Sequence, residues 1–228
     1  MWLPVMAALS DRRTIAYDMI GHGHARKPAG PYTLGVFVDQ LDAIVEALDS
    51  DIDLVGFSMG ALVAEGFALS PNAGRIRKMV LLNAVHERSD AERQAIIERV
   101  GEVRAGLFAA TVEPALQRWF TPAFVSAHPD SVGAVRECLV DNDERSYADA
   151  YEVFATADTD LSPHVSEITV PTLVATGSDD QRSTPAMAAA LATALRRGRS
   201  TILPGLRHLT PIEAPELVAK LIDEFTRP

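Results

Sequence analysis

The chain has 228 residues, of which 47% are hydrophobic and 23% charged, and its formal charge is −10. That length and balance suit one globular domain with a full core rather than a disordered or fibrous chain. The negative charge argues against nucleic acid or an anionic membrane as a partner, and the single cysteine, Cys138, excludes an intramolecular disulfide and a Cys-rich zinc site.

Residues 1–9 read as a short helix interrupted by Pro4. They lack the basic leader and the small-residue cleavage site of a signal peptide, so the expected location is the cytoplasm. No apolar run reaches the length of a membrane span. Residues 14–17, Thr-Ile-Ala-Tyr, read as a buried strand, followed by a loop at Gly21-His22-Gly23. Thr33 is placed to cap a helix in which Leu34, Phe37, Val38, Leu41, Val45 and Leu48 keep helical spacing. Residues 51–57 read as a strand, a helix then runs to about Leu69, and residues 77–82 form a further strand.

From residue 86 to residue 160 the pattern becomes helical only, with Ile96, Ile97, Val100, Val103 and Leu107 in helical register. Such an insertion between strand–helix units is expected to be a lid, which divides the chain into a core of residues 1–85 and 161–228 and a lid of residues 86–160. Cys138 falls within this region in what reads as a helix interior, as a small buried hydrophobe. Residues 169–176 then read as a strand, 185–195 as a helix and 200–203 as a strand. A last helix carries Leu217, Val218, Leu221, Ile222 and Phe225 on one face. This alternation predicts an α/β fold, a mostly parallel sheet with helices on both faces.

The chemistry centres on Gly56-Phe57-Ser58-Met59-Gly60, a Gly-x-Ser-x-Gly pattern set between a strand and a helix. Glycines two residues either side of a serine permit a sharp turn that lifts the hydroxyl clear of the backbone, where a Cβ is expected to collide. The Met59 N–H is then placed to donate to an oxyanion above Ser58. A serine hydroxyl is a weak nucleophile and needs a base, which in turn needs an orienting acid. His208, between the last strand and the last helix, is the candidate base among six histidines. The acid lies in Gly177-Ser178-Asp179-Asp180. Asp180 is preferred over Asp179 as the fourth residue of the turn.

In these segments the chain resembles α/β-hydrolases of the 3-oxoadipate enol-lactonase-like branch, which borders on haloperoxidase-like esterases and carbon–carbon-bond hydrolases. Residues 17–23, the serine motif, Arg118-Trp119-Phe120-Thr121-Pro122-Ala123-Phe124, residues 171–174, Ser183-Thr184-Pro185 and Gly205-Leu206-Arg207-His208 carry the likeness. The resemblance implies acyl transfer on a small ester or lactone by Ser58, His208 and Asp180, without metal or cofactor. Self-association is left open. It also implies a pocket shaped by Trp119, Phe120 and Phe124, whose other reading is lid core. Arg118 or Arg182 could meet a substrate carboxylate, although each also reads as a surface arginine.

The resemblance further implies an N-terminally truncated fold. Members of the family have a strand and a His-Gly loop before the point matching Met1, and that loop supplies a second oxyanion donor. Either the strands at 14–17 and 51–57 close up and pair, or the protein continues upstream of Met1. The alternatives to an esterase or lactonase are a carbon–carbon-bond hydrolase using the same three residues, and an inactive hydrolase-fold binding protein.

Overall fold

A computed structural model describes residues 1–227. Four parallel strands form the sheet, in the spatial order β1 (Ile52–Phe57), β2 (Ile76–Leu82), β3 (Thr172–Gly177) and β4 (Gly198–Leu203). Parallel neighbours need a crossover, and the chain supplies helices for each. These are α3 (Met59–Ala68) between β1 and β2, a helical insertion between β2 and β3, and α9 (Pro185–Ala194) between β3 and β4. The insertion holds α4 (Asp90–Glu102), α5 (Phe108–Trp119), α6 (Pro122–Ala127), α7 (Pro129–Val140) and α8 (Glu144–Leu161).

The apolar strands are apolar on both sides because both faces are covered. Met79 and Leu81 of β2 and Val174 of β3 join a cluster with α2 (Leu34–Glu46), α3 and α9. Their neighbours Val80, Leu82, Leu173 and Ala175 point the other way, into a cluster with α1 (Leu3–Ala8) and the helix Pro215–Thr226. In α2 the residues Phe37, Leu41 and Val45, four apart, are buried. Thr33 occupies the N-cap position but makes no side-chain capping bond. Pro4 stands in the first turn of α1, where a missing N–H costs nothing, rather than interrupting it.

Two expectations fail. Residues 14–17 form no strand, and Ile15 is 52% exposed. A short apolar run reports burial propensity but not a partner, and a strand exists only with a ladder to join. Among the described residues β1 pairs with β2 alone, so the two stretches do not close up against each other. Cys138 is exposed. The inward line of α7 is Val132 and Leu139, seven residues apart, and Cys138 lies beside that line.

The insertion is fastened where it leaves and rejoins the core. Arg88, at its start, donates from its backbone N–H (3.0 Å) and from Nη1 (2.8 Å) to the Asp158 carboxylate near its end. The Glu87 N–H donates to Ser162 Oγ, which also lies 3.3 Å from His86 Nδ1. Arg88 and Asp158 are buried, and the guanidinium lies over the Phe154 ring. Beneath them Glu65 of α3 is fully buried. Burial first, and the Asp158 charge second, push its carboxyl up to about 8.

Candidate active site

β1 delivers the chain to Ser58, which has φ 52° and ψ −116°, an uncommon backbone conformation for a residue with a side chain. The turn is pinned by the Ser58 N–H donating to the Leu82 carbonyl (2.9 Å) at the end of β2. Gly56 is required there. A Cβ on it would strike the Gly60 carbonyl oxygen and lie 2.7 Å from Ala61 Cα. Gly60 differs from expectation, since a Cβ on it would meet nothing within 4 Å. Only the glycine before the serine is sterically obligatory. Met59 is the first residue of α3, so its N–H lies in the helical turn whose donors have no intrahelical acceptor.

The Ser58 hydroxyl is 3.1 Å from His208 Nε2, and His208 Nδ1 is 2.7 Å from Asp180 Oδ2. The three side chains come from the ends of β1 and β3 and from the loop after β4, on one edge of the sheet. Asp179 is exposed and accepts a hydrogen bond from Ser178 Oγ (2.6 Å). Asp180 is buried. Burial alone would raise its carboxyl, but the hydrogen bond and charge of His208, the Asn83 amide and the Arg182 N–H outweigh it, and the carboxyl sits below its usual range.

The acid is surrounded by donors that the sequence pattern did not reveal. Asn83 Nδ2 donates to Asp180 Oδ2 (2.8 Å) and to Thr176 Oγ1 (3.2 Å), while its Oδ1 accepts from Thr210 Oγ1 (2.7 Å). The N–H groups of Arg182 (2.9 Å) and Ser183 (3.0 Å) donate to Asp180 Oδ1. Asn83 is fully buried at φ 50° directly after β2. Its one trace in the sequence is a polar residue inside the apolar run 79–85.

The aromatic candidates part company. The Trp119 ring lies 6.4 Å from the His208 ring, and the Phe57 ring lies 5.2 Å from it. Phe120 is fully buried in the core of the insertion. Phe124 stacks on Phe120 and lines a shallow hollow of about 290 Å³ with His128, Leu206 and Glu213. α5 is tied to the histidine loop. The Leu209 N–H donates to the Trp119 carbonyl (3.0 Å), Arg207 Nη1 donates to the Phe120 carbonyl (3.0 Å), and Glu213 accepts from Thr121 and from the Arg207 N–H. Arg118 is half-buried on α5 and the Arg182 side chain is exposed. Among the described residues no group of three or more His, Cys, Asp or Glu side chains is placed to hold a metal, and no helix is long and apolar enough to cross a membrane.

The fold agrees with comparisons to known proteins. A family model described as the alpha/beta hydrolase family matches residues 1–221. The chain belongs to the α/β-hydrolase family. It is 31% identical over 219 residues to (E)-2-((N-methylformamido)methylene)succinate hydrolase of Acinetobacter baylyi, covering 95% of this chain and 81% of that one. It is 29% identical to 3-oxoadipate enol-lactonase 2 of the same organism, over 95% of this chain and 79% of the relative. The crystal structure of the enol-lactonase from Burkholderia xenovorans superposes with a TM-score of 0.90 at 31% identity, covering 98% of this chain and 85% of that one. Within the family the chain is thus similar to the enol-lactonase and succinate-hydrolase branch.

Proposed function

We propose that this α/β-hydrolase cleaves a small ester or lactone by acyl transfer through a triad of Ser58, His208 and Asp180. The observation that carries the reading is the unbroken hydrogen-bond chain from Ser58 Oγ through both ring nitrogens of His208 to Asp180. In the first step Ser58 Oγ bonds to the carbonyl carbon while His208 Nε2 takes the hydroxyl proton. Asp180 accepts from Nδ1–H, fixing the tautomer and stabilising the imidazolium. The Met59 N–H donates to the oxyanion. Collapse of the intermediate breaks the ester C–O bond, and the leaving oxygen takes the proton from Nε2. His208 then deprotonates a water that attacks the acyl-enzyme, and the proton returns to Ser58 as the acid is released. Trp119 walls the space beside His208, with Phe120 and Phe124 behind it. The relatives' printed activities support a lactone or an activated acyl substrate.

A fluorophosphonate probe tests the reading. The wild-type protein is expected to label at Ser58, with labelling abolished in Ser58→Ala and suppressed in His208→Ala. Folded protein that takes up no probe would count against an active hydrolase, and undiminished labelling of His208→Ala would count against the base. A panel of enol-lactone, p-nitrophenyl esters and vinylogous diketones separates ester cleavage from carbon–carbon cleavage.

A further inference from the structure

The loop that carries His208 is bonded on both sides of that residue to the junction between α5 and α6. Before it, Arg207 Nη1 donates to the carbonyls of Gln117 (2.5 Å) and Phe120 (3.0 Å). After it, the Leu209 N–H donates to the Trp119 carbonyl (3.0 Å). These carbonyls lie at the C-terminal end of α5, where a helix has no donors left to offer them, so a cation and an N–H from the histidine loop complete that end. Glu213 closes the short helix Thr210–Glu213 and spans the same junction. Its Oε1 accepts from the Thr121 N–H (2.7 Å) and from Thr121 Oγ1 (2.8 Å), and its Oε2 accepts from the Arg207 N–H (2.8 Å). Thr121 is the N-cap of α6, and Arg207 directly precedes His208.

The donors aimed at Glu213 require a group that accepts on both arms, and an ionised carboxylate does so. Glutamine in its place could keep both Thr121 donors on its oxygen. It would then turn an NH2 donor toward the Arg207 N–H and leave that group without an acceptor. Glu213, Thr121 and Arg207 are all half-buried, so the bridge contributes modestly to stability. Its position matters more. Asp180 holds the His208 ring through Nδ1, and Asn83 accepts from Thr210 Oγ1. Those bonds orient the ring. The reach of Nε2 to Ser58 Oγ, 3.1 Å, also depends on where the backbone of the loop sits.

We propose that Glu213 is a positioning residue: by joining Thr121 to Arg207 it sets the backbone of the His208 loop against the insertion and holds Nε2 within reach of Ser58. The proposal rests on His208 being the base of a hydrolase. It adds that the α5–α6 junction and the base move as one unit, so that a displacement of the junction displaces the base.

The test begins with Glu213→Gln, which keeps the shape and removes one acceptor. On a p-nitrophenyl ester it should lower kcat by about tenfold to a hundredfold through misplacement of the base. KM should change little, as for an interaction that serves the transition state alone. Thr121→Val, which loses only the Oγ1 bond to Glu213 and the cap of α6, should give a smaller loss of the same kind. Thr121→Ser keeps the hydroxyl and should retain the wild-type kcat. The Glu213→Gln, Thr121→Val double variant should be no slower than Glu213→Gln, because both changes act through one link. Wild-type kcat in Glu213→Gln, a loss confined to KM, or additive losses in the double variant would overturn the proposal. Should the wild-type protein cleave no ester, the hydrolase reading fails by itself, and amide hydrogen exchange decides the positioning role separately. The Arg207 N–H should exchange at least about tenfold faster in Glu213→Gln, as for one lost hydrogen bond, while the helix Pro215–Thr226 stays as protected as in the wild type. Equal exchange at Arg207 in the two proteins overturns it.

Discussion

Asp180 and Ser58 stand at opposite ends of one hydrogen-bond chain, on strands in unlike settings. Asp180 follows β3, which is buried along its whole length between two neighbours. Ser58 follows β1, an edge strand that is half-buried everywhere except at Gly56. The acid is held by His208, Asn83 and two backbone N–H groups. The nucleophile is held by one strained turn and one ladder. The orientation of the base is therefore set from the acid side, where the bonds from Asn83, Ser183 and His208 are buried and correspondingly strong. The nucleophile side depends on steric fit at a single glycine.

The largest expected effect comes from the acid itself. Asp180→Asn should keep the fold yet lower kcat by about ten-thousandfold, because the amide favours the wrong histidine tautomer. Steady-state kinetics on a p-nitrophenyl ester measures it, and a loss below tenfold would remove Asp180 from its proposed role. Asn83→Ala tests the shell around the acid. It strips donors from Asp180 and Thr176 and the acceptor from Thr210, and should destabilise the fold by about 2–3 kcal/mol in urea titration. A misplaced base should also slow kcat by about a hundredfold. If Asn83→Ala is as active and stable as wild type, the acid side is not the stiffer half.

The smallest effects sharpen the nucleophile side. Gly56→Ala should cost about 1–3 kcal/mol, because backbone atoms at the turn must move. Gly60→Ala, with open space at its Cβ, should be neutral or stabilising by up to about 1 kcal/mol, since alanine is the better helix former. Unfolding midpoints of the pair give the answer directly. Equal losses would mean that both flanks of the serine, not one, are sterically closed.

What the sequence showed of this arrangement divides along the same line. Ser58 and His208 stand out in the sequence as candidates because their proposed chemistry demands local signatures, a glycine-flanked turn and a loop between the last strand and helix. The alternation of strands and helices likewise exposed the parallel sheet, since apolar runs of strand and helix length differ. Asn83 is not legible, because its role depends on Thr176, Asp180 and Thr210 meeting around it. Residues 14–17 misled for a related reason, as an apolar run does not say whether a neighbouring strand exists. The motif makes both glycines look obligatory, yet only the folded turn shows which one the backbone crowds. The burial expected of Cys138 fails because helical register alone does not say how wide the inward stripe of α7 is.

The clasp between Arg88 and Asp158 changes how the length of the insertion is felt by the core. A long excursion between two neighbouring strands carries a closure entropy that grows with its contour. Here the two ends are already joined by a buried ion pair, so β2 and β3 see a short, stiff bridge whatever lies beyond it. Slack within the helical segment is absorbed above the clasp. The spacing of the two strands that carry Asn83 and Asp180 is thereby insulated from it.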